Sequence, residues 1–116
     1  MKAILIDSYN KTVRELDLDD NIKMLFQWYE HIQCHTVTVG CDLNDHDSII
    51  VDDEGLLKPC DHFFYYEGAH QPFAGNGLVV GVDEEGDTVG CNITLEEVEA
   101  KVRFLSREEV IETLYE

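Results

Sequence analysis

The stretch Gln71-Pro72-Phe73-Ala74-Gly75-Asn76-Gly77-Leu78-Val79-Val80-Gly81-Val82-Asp83-Glu84-Glu85-Gly86-Asp87-Thr88-Val89-Gly90 decides how this chain is read. It holds five of the eight glycines and sets a punctuated loop, an apolar strand and an acidic turn side by side, the densest backbone specification in the sequence. Gly75, Gly77 and Gly81 invite comparison with a dinucleotide fingerprint. The third glycine falls one residue late, however, and the segment continues into β-branched residues instead of opening a helix. No Gly-Lys-Ser/Thr occurs anywhere, which removes a phosphate loop. The stretch therefore reads as a structural corner that carries part of an acidic surface.

Upstream of it, residues 3–6 and 12–18 are strand-like, and the polar turn between them can use Asn10 in a left-handed conformation, giving an N-terminal β-hairpin. Asp19, Asp20 or Asn21 can cap a helix over residues 21–32, in which Ile22, Leu25, Phe26 and Tyr29 share one face. Met24 and Trp28 widen that face, so the helix should press against a sheet. His35, Val37, Val39 and Cys41 alternate as one face of a strand, and residues 48–51 form another. Val51-Asp52-Asp53-Glu54-Gly55 echoes Val82-Asp83-Glu84-Glu85-Gly86, which reads as repeated turn chemistry with glycine supplying positive φ at a strand end. Residues 56–58 should return as a strand until Pro59 breaks it. In His62-Phe63-Phe64-Tyr65-Tyr66, consecutive aromatics make both faces bulky, as in a central strand or in one with a face on the core and the other on a partner or ligand.

Downstream, Thr94 with Glu97 forms a capping box, and Leu95, Val98, Val102 and Leu105 predict a helix running to about residue 105. Ser106 with Glu109 repeats the device for a short last helix bearing Val110, Ile111 and Leu114. Strands cluster and parallel crossover units are scarce. The expected fold is a single α+β domain over residues 1–116, with an antiparallel or mixed β-sheet, an N-terminal hairpin, one helix packed on the sheet and two C-terminal helices.

A chain of 116 residues, 44% of them apolar, can bury an ordinary core, so its net charge of −17 bears on partners rather than on disorder. Such a charge repels phosphates and anionic membranes and attracts basic proteins. Direct nucleic-acid binding is excluded as a leading role. No apolar run approaches the roughly 20 residues of a membrane span, and Met1-Lys2-Ala3-Ile4-Leu5-Ile6-Asp7 lacks the pattern of a signal peptide, so a cytoplasmic location is expected. Cys34, Cys41, Cys60 and Cys91 are then expected as free thiols.

Those cysteines, with His35 and His62, offer zinc ligands, but no C-x-x-C knuckle occurs and the spacings are irregular, which leaves a zinc-stabilised module as a secondary reading. Asp42-x-Asn44-x-His46 begins like a calcium loop yet lacks its sixth-position glycine and final glutamate. Cys60 and His62 lie too close along an extended segment to act as nucleophile and base except across a turn. No hydrolase, kinase or metalloprotease signature is present, so the expectation is a protein that is not an enzyme and uses no cofactor. The pocket alternative, a small-molecule or nucleotide-binding domain, would use Phe64 and Tyr66 as a wall and Gly75 and Gly77 as a backbone cradle.

Between Asp42 and Glu99 there are fifteen acids against one base, Lys58, so most of the charge is concentrated there. Asp52, Asp53 and Glu54 at one turn, Asp83, Glu84, Glu85 and Asp87 at the other, and Glu96, Glu97 and Glu99 beyond could form a polyanionic surface that imitates a row of phosphates. The stretch from Gln71 to Asp87, taken with Met1 to Asp7, resembles a family of domains of unknown function from phages and plasmids, the class numbered 3846. That family's pattern is a Pro-Leu-Ala-Gly loop, an apolar strand, a glycine-rich acidic turn and then a helix; here Phe73 replaces the aliphatic residue. The resemblance implies a mobile-element origin and no known catalytic residues. By association it points to an accessory protein that binds a basic host protein, such as a nucleic-acid-binding or defence complex, with homodimerisation through a sheet edge as an option.

Overall fold

A computed structural model of the chain describes residues 1–115, with side chains described through Glu112. The N-terminal hairpin forms as expected, β1 (Lys2–Asp7) against β2 (Thr12–Asp17). Its turn differs in detail. Lys11, not Asn10, takes the left-handed conformation at φ 55°, because the Asn10 amide and backbone are both held by the Asp7 carboxylate. Helix α1 (Met24–Ile32) follows, then β3 (Val37–Asp42) and β4 (Asp47–Asp52), a single 3-10 turn (Gly55–Leu57), β5 (His62–Tyr66), β6 (Phe73–Ala74), β7 (Gly77–Val82), β8 (Thr88–Val89), α2 (Leu95–Lys101), β9 (Val102–Ser106) and α3 (Arg107–Tyr115).

The strands make two antiparallel sheets, so the α+β expectation holds. The larger has the order β2-β1-β7-β4-β3, with β8 paired to the end of β7; the smaller is β6-β5-β9. The opening stretch supplies β6 to the small sheet and β7 to the centre of the large one, so it is the crossing between them. Alternation along β1, β4 and β7 divides the core. Ala3, Leu5, Ile50, Leu78 and Val80 face α1, while Ile4, Ile6, Ile49, Val51 and Val79 face the small sheet and α2. Beyond the small sheet, Phe63, Ala74 and Leu105 pack on Val110 of α3. The order of layers is therefore helix, sheet, sheet, helix. Leu114 lies outside the described side chains.

Four sequence expectations are corrected by packing. Residues 102–106 form a strand, not the end of a helix: α2 stops at Lys101, and Val102 to Ser106 pair along the whole of β5, from Tyr66 to His62. The partner strand supplies hydrogen bonds and aromatic neighbours that suit Val102 and Phe104 better than a helical turn does. This makes β5 the central strand that its aromatic run allowed. On α1, the face of Ile22, Leu25 and Phe26 is turned to solvent, and Met24, Gln27, Trp28 and Ile32 face the sheet instead. Gln27 sets that rotation, since its amide accepts from Asp19 N and donates to the carbonyls of Asp19 and Ile22. No side chain caps the helix; Lys23 is its first flanking residue.

The third correction lies in β3, where the pairing shifts between Val39 and Cys41. One extra residue at this β-bulge moves Cys41 to the core face opposite Val37, so the expected common face of His35, Val37, Val39 and Cys41 does not exist. Fourth, residues 56–58 do not return as a strand but close the 3-10 turn. The two acidic turns also differ. Gly86 has the expected positive φ of 87°, whereas Gly55 does not, and is glycine because a Cβ there would meet Ala74 at 3.2 Å. Both capping boxes form as expected: Thr94 Oγ1 accepts from Glu97 N, and Ser106 and Glu109 bond reciprocally.

Buried polar groups tie the loops to this frame. The fully buried Asp47 carboxylate accepts the N–H groups of Asn92 and Ile93, both at 2.8 Å, and the Asn44 amide at 3.0 Å. Asn76 accepts from Ser8 N and donates to the carbonyl of His31, locking the glycine-rich loop to the end of β1 and to α1. Along the inner face of β7, Gly77, Val79 and Gly81 alternate, and a Cβ on Gly77 would come within 2.6 Å of Phe64 Cζ. Gly77→Ala should therefore destabilise the protein by about 1–3 kcal/mol in urea unfolding, and Phe64→Leu in the same chain should recover part of the loss. Simple additivity of the two costs would show that this contact does not limit the approach of the sheets.

Candidate functional site

The acidic residues singled out from the sequence occupy three places. Asp52, Asp53 and Glu54 leave β4; Asp83, Glu84, Glu85 and Asp87 link β7 to β8; Glu96, Glu97 and Glu99 lie on α2. Because β4 and β7 are antiparallel, with Asp47 opposite Gly81 and Ile50 opposite Leu78, the first two turns sit at opposite ends of the strand pair. A six-residue strand separates them by about 20 Å. They do not form one continuous row. The β7–β8 turn does share its end of the sheet with the start of α2, since Asp47 holds Asn92 and Ile93 there and Val82 N donates to His46 O.

Two of the ten carboxylates close their own turns. Asp83 Oδ1 accepts the N–H groups of Glu85 and Asp87, both at 2.9 Å, closing its turn. Asp52 accepts Glu54 N at 2.9 Å and pairs with Lys58 at 2.8 Å, a bond that raises the Lys58 ammonium above its ordinary range. The other eight are exposed. Oxygens of Asp83, Glu85 and Asp87 lie within 4.8 Å of one another, the one such group among the described residues that could hold a metal ion. Asn44, in the segment compared with a calcium loop, spends its side-chain oxygen on His46 N and Asp47 N, both at 2.7 Å.

The residues of the pocket alternative are not gathered around a cavity. Phe64 and Tyr66 are buried in the main core, and Gly77 lies directly beneath the Phe64 ring. Gly75 reaches a small cleft of about 70 Å³ shared with Tyr9, Lys58 and Cys60. The Tyr9 ring also meets the His62 ring, centroids 4.9 Å apart and tilted by 52°. Burial, and then the neighbouring Cys60, push the Tyr9 hydroxyl pKa up. The zinc alternative meets a similar obstacle: Cys34 lies in the core beneath α1 and Cys91 in the core on the opposite face of the large sheet.

A larger groove, about 420 Å³, was not anticipated from the sequence. It lies between the edge strand β3 and the 3-10 turn, with Gly40, Val51 and Phe73 among its lining. Val39, Leu56 and Leu57 stand around it with 52%, 51% and 85% exposure, and Asp52 and Asp53 are beside them. Leu56-Leu57 before Pro59 was its only sequence signal, and the strand assigned to residues 56–58 concealed it.

Fold and site together define a small, strongly acidic, two-sheet α+β protein with exposed carboxylates at two turns and on α2, and a groove beside the edge strand β3. The chain belongs to the family described as a domain of unknown function (DUF3846), whose profile matches residues 1–103, from β1 into β9. No curated protein and no solved structure matches it. Among the described residues no helix is long and apolar enough to cross a membrane.

Burial also raises the thiol pKa of Cys34, Cys41 and Cys91, which keeps them protonated at pH values where an ordinary cysteine begins to ionise. At about pH 8, Cys34 and Cys91 should react with a disulfide reagent only as fast as the chain unfolds, and should become fully reactive in urea. Fast titration of all four thiols in the folded protein would contradict this placement.

Proposed function

We propose that this is a non-enzymatic accessory protein of phage or mobile-element origin that binds a basic protein of its host cell through exposed carboxylates. The observation that carries the reading is the distribution of charge. Eight of the ten carboxylates singled out above are exposed and free of the turn-closing roles of Asp52 and Asp83, in a segment with Lys58 as its only base. Opposite charge across an encounter surface speeds association and selects against acidic partners, and this acts most strongly at low ionic strength.

In its sharpest form the partner is a nucleic-acid-binding protein of a defence or DNA-processing complex, and the carboxylates stand in for phosphates. The compact version of such a footprint is Glu84, Glu85 and Asp87 with Glu96 and Glu97, which share one end of the large sheet. The Asp53 and Glu54 turn is a second, separate contact.

Capture from host lysate should recover basic nucleic-acid-binding proteins, and the captured interaction should weaken by about tenfold or more between low and high salt. Joint replacement of Glu84, Glu85, Glu96 and Glu97 by lysine should abolish capture, with the circular dichroism spectrum of the fold retained. Capture indifferent to both salt and charge reversal would overturn the proposal.

A further inference from the structure

We propose that the β3 edge and the adjoining groove bind an extended segment of the basic partner as an added antiparallel or parallel strand; this rests on the basic-partner reading above and specifies where and in what conformation the partner is held.

The large sheet ends in two edges, β2 and β3, and they are built differently. β2 carries Arg14, Glu15 and Asp17, charges that discourage a further strand. β3 carries no charge before Asp42. Its pairing with β4 sets which backbone groups are spare. Asp53 N donates to Thr36 O, so Thr36 and Asp53 form a hydrogen-bonded pair, and by alternation Thr38 with Val51 forms the next. Val37 and Val39, opposite Asp52 and Ile50, therefore direct their N–H and C=O groups away from the sheet. The bulge at Gly40 ends this regular edge, so it suits a short segment rather than a long strand.

The groove supplies what backbone pairing lacks, which is side-chain selection. An added strand sends alternate side chains to one face, and on the groove face they would meet Thr38, Leu56 and Leu57. An apolar side chain fits there. Charge chooses the occupant. Asp53 and Glu54 flank the same end of β4, so a segment alternating aliphatic with arginine or lysine residues satisfies groove and rim together. A second copy of this chain would bring another −17 to the same edge, which repels self-pairing.

The test is titration of the isotope-labelled chain at low salt with three synthetic ten-residue peptides: alternating Arg-Val, alternating Glu-Val, and the Arg-Val peptide with proline at every third position. The Arg-Val peptide should shift the Val37 and Val39 amides and slow their hydrogen exchange, and the other two should not. Val39→Pro removes an outward donor without removing a ladder bond, and should weaken binding about tenfold or more. Leu57→Asp, at a position 85% exposed, should weaken it comparably, with the circular dichroism spectrum of the fold retained. Shifts centred on residues 83–87 and 96–99 instead, or unchanged binding by both variants, would overturn the edge site while leaving the basic-partner reading standing. Failure of the basic peptide to bind anywhere on the chain would overturn both. A dimer in sedimentation that Val39→Pro dissolves would show that the edge serves a second copy, which also overturns the proposal.

Discussion

The contact of the Phe64 ring with the bare backbone of Gly77 is the constraint on which the rest of the structure depends. β7 is the centre of the large sheet and β5 the centre of the small one, and between them the approach is too close for any side chain at position 77. A sheet normally stands about 10 Å from its neighbour with side chains from both filling the gap. Here Gly77 and Gly81 on the inner face of β7 leave room for the Phe64 ring and for His46, whose Nε2 lies 3.0 Å from Gly90 O. Of the glycines whose spacing resembles a nucleotide loop, Gly77 and Gly81 are thus spaced along one face of a strand, while Gly75, at φ 75°, turns the loop before it. The purpose of that strand spacing is to let two layers meet.

Once that approach is set, the acidic segments have their places. Asp47 is a carboxylate with no exposure, and it is satisfied by two backbone N–H groups and an amide, which pins the approach to α2 against the start of β4. Asp52 and Asp83 close the two turns. The carboxylates left over point outward because the turns are outside the core, and antiparallel pairing of β4 with β7 sends them to opposite ends. Acidity in this chain is therefore partly architectural and partly a surface property, and the two roles fall on different residues.

The same division runs through the apolar residues. Along β1, β4 and β7 the run is buried on both faces, so the sequence showed strands but not which side of each meets α1. Where a polar side chain had a stronger claim on the interior, the reading failed. Gln27 holds the loop before α1 through three hydrogen bonds, and turns Leu25 and Phe26 outward, where Lys23 Nζ lies 5.9 Å from the Phe26 ring. Around the groove, Leu56 and Leu57 are exposed for a comparable reason: Gly55 packs on Ala74 and commits the chain to a tight turn before a strand can form.

Sequence by itself determined the features that local chemistry decides: the N-terminal hairpin, both capping boxes, the aromatic strand, the acidic turns, the α+β class and the family. Each depends on residues within a few positions of one another, or on composition. Tertiary structure alone decided the strand at Val102–Ser106, the rotation of α1, the bulge at Gly40, the separation of the two acidic turns and the groove beside β3. Val102 and Leu105 satisfy a helical stripe and a strand equally well until β5 offers its free side, and Gly40 gives no sign in sequence that Phe73 will lie 2.9 Å from where its Cβ would be. Periodicity reports which faces a segment has; only its distant partners determine which face is covered.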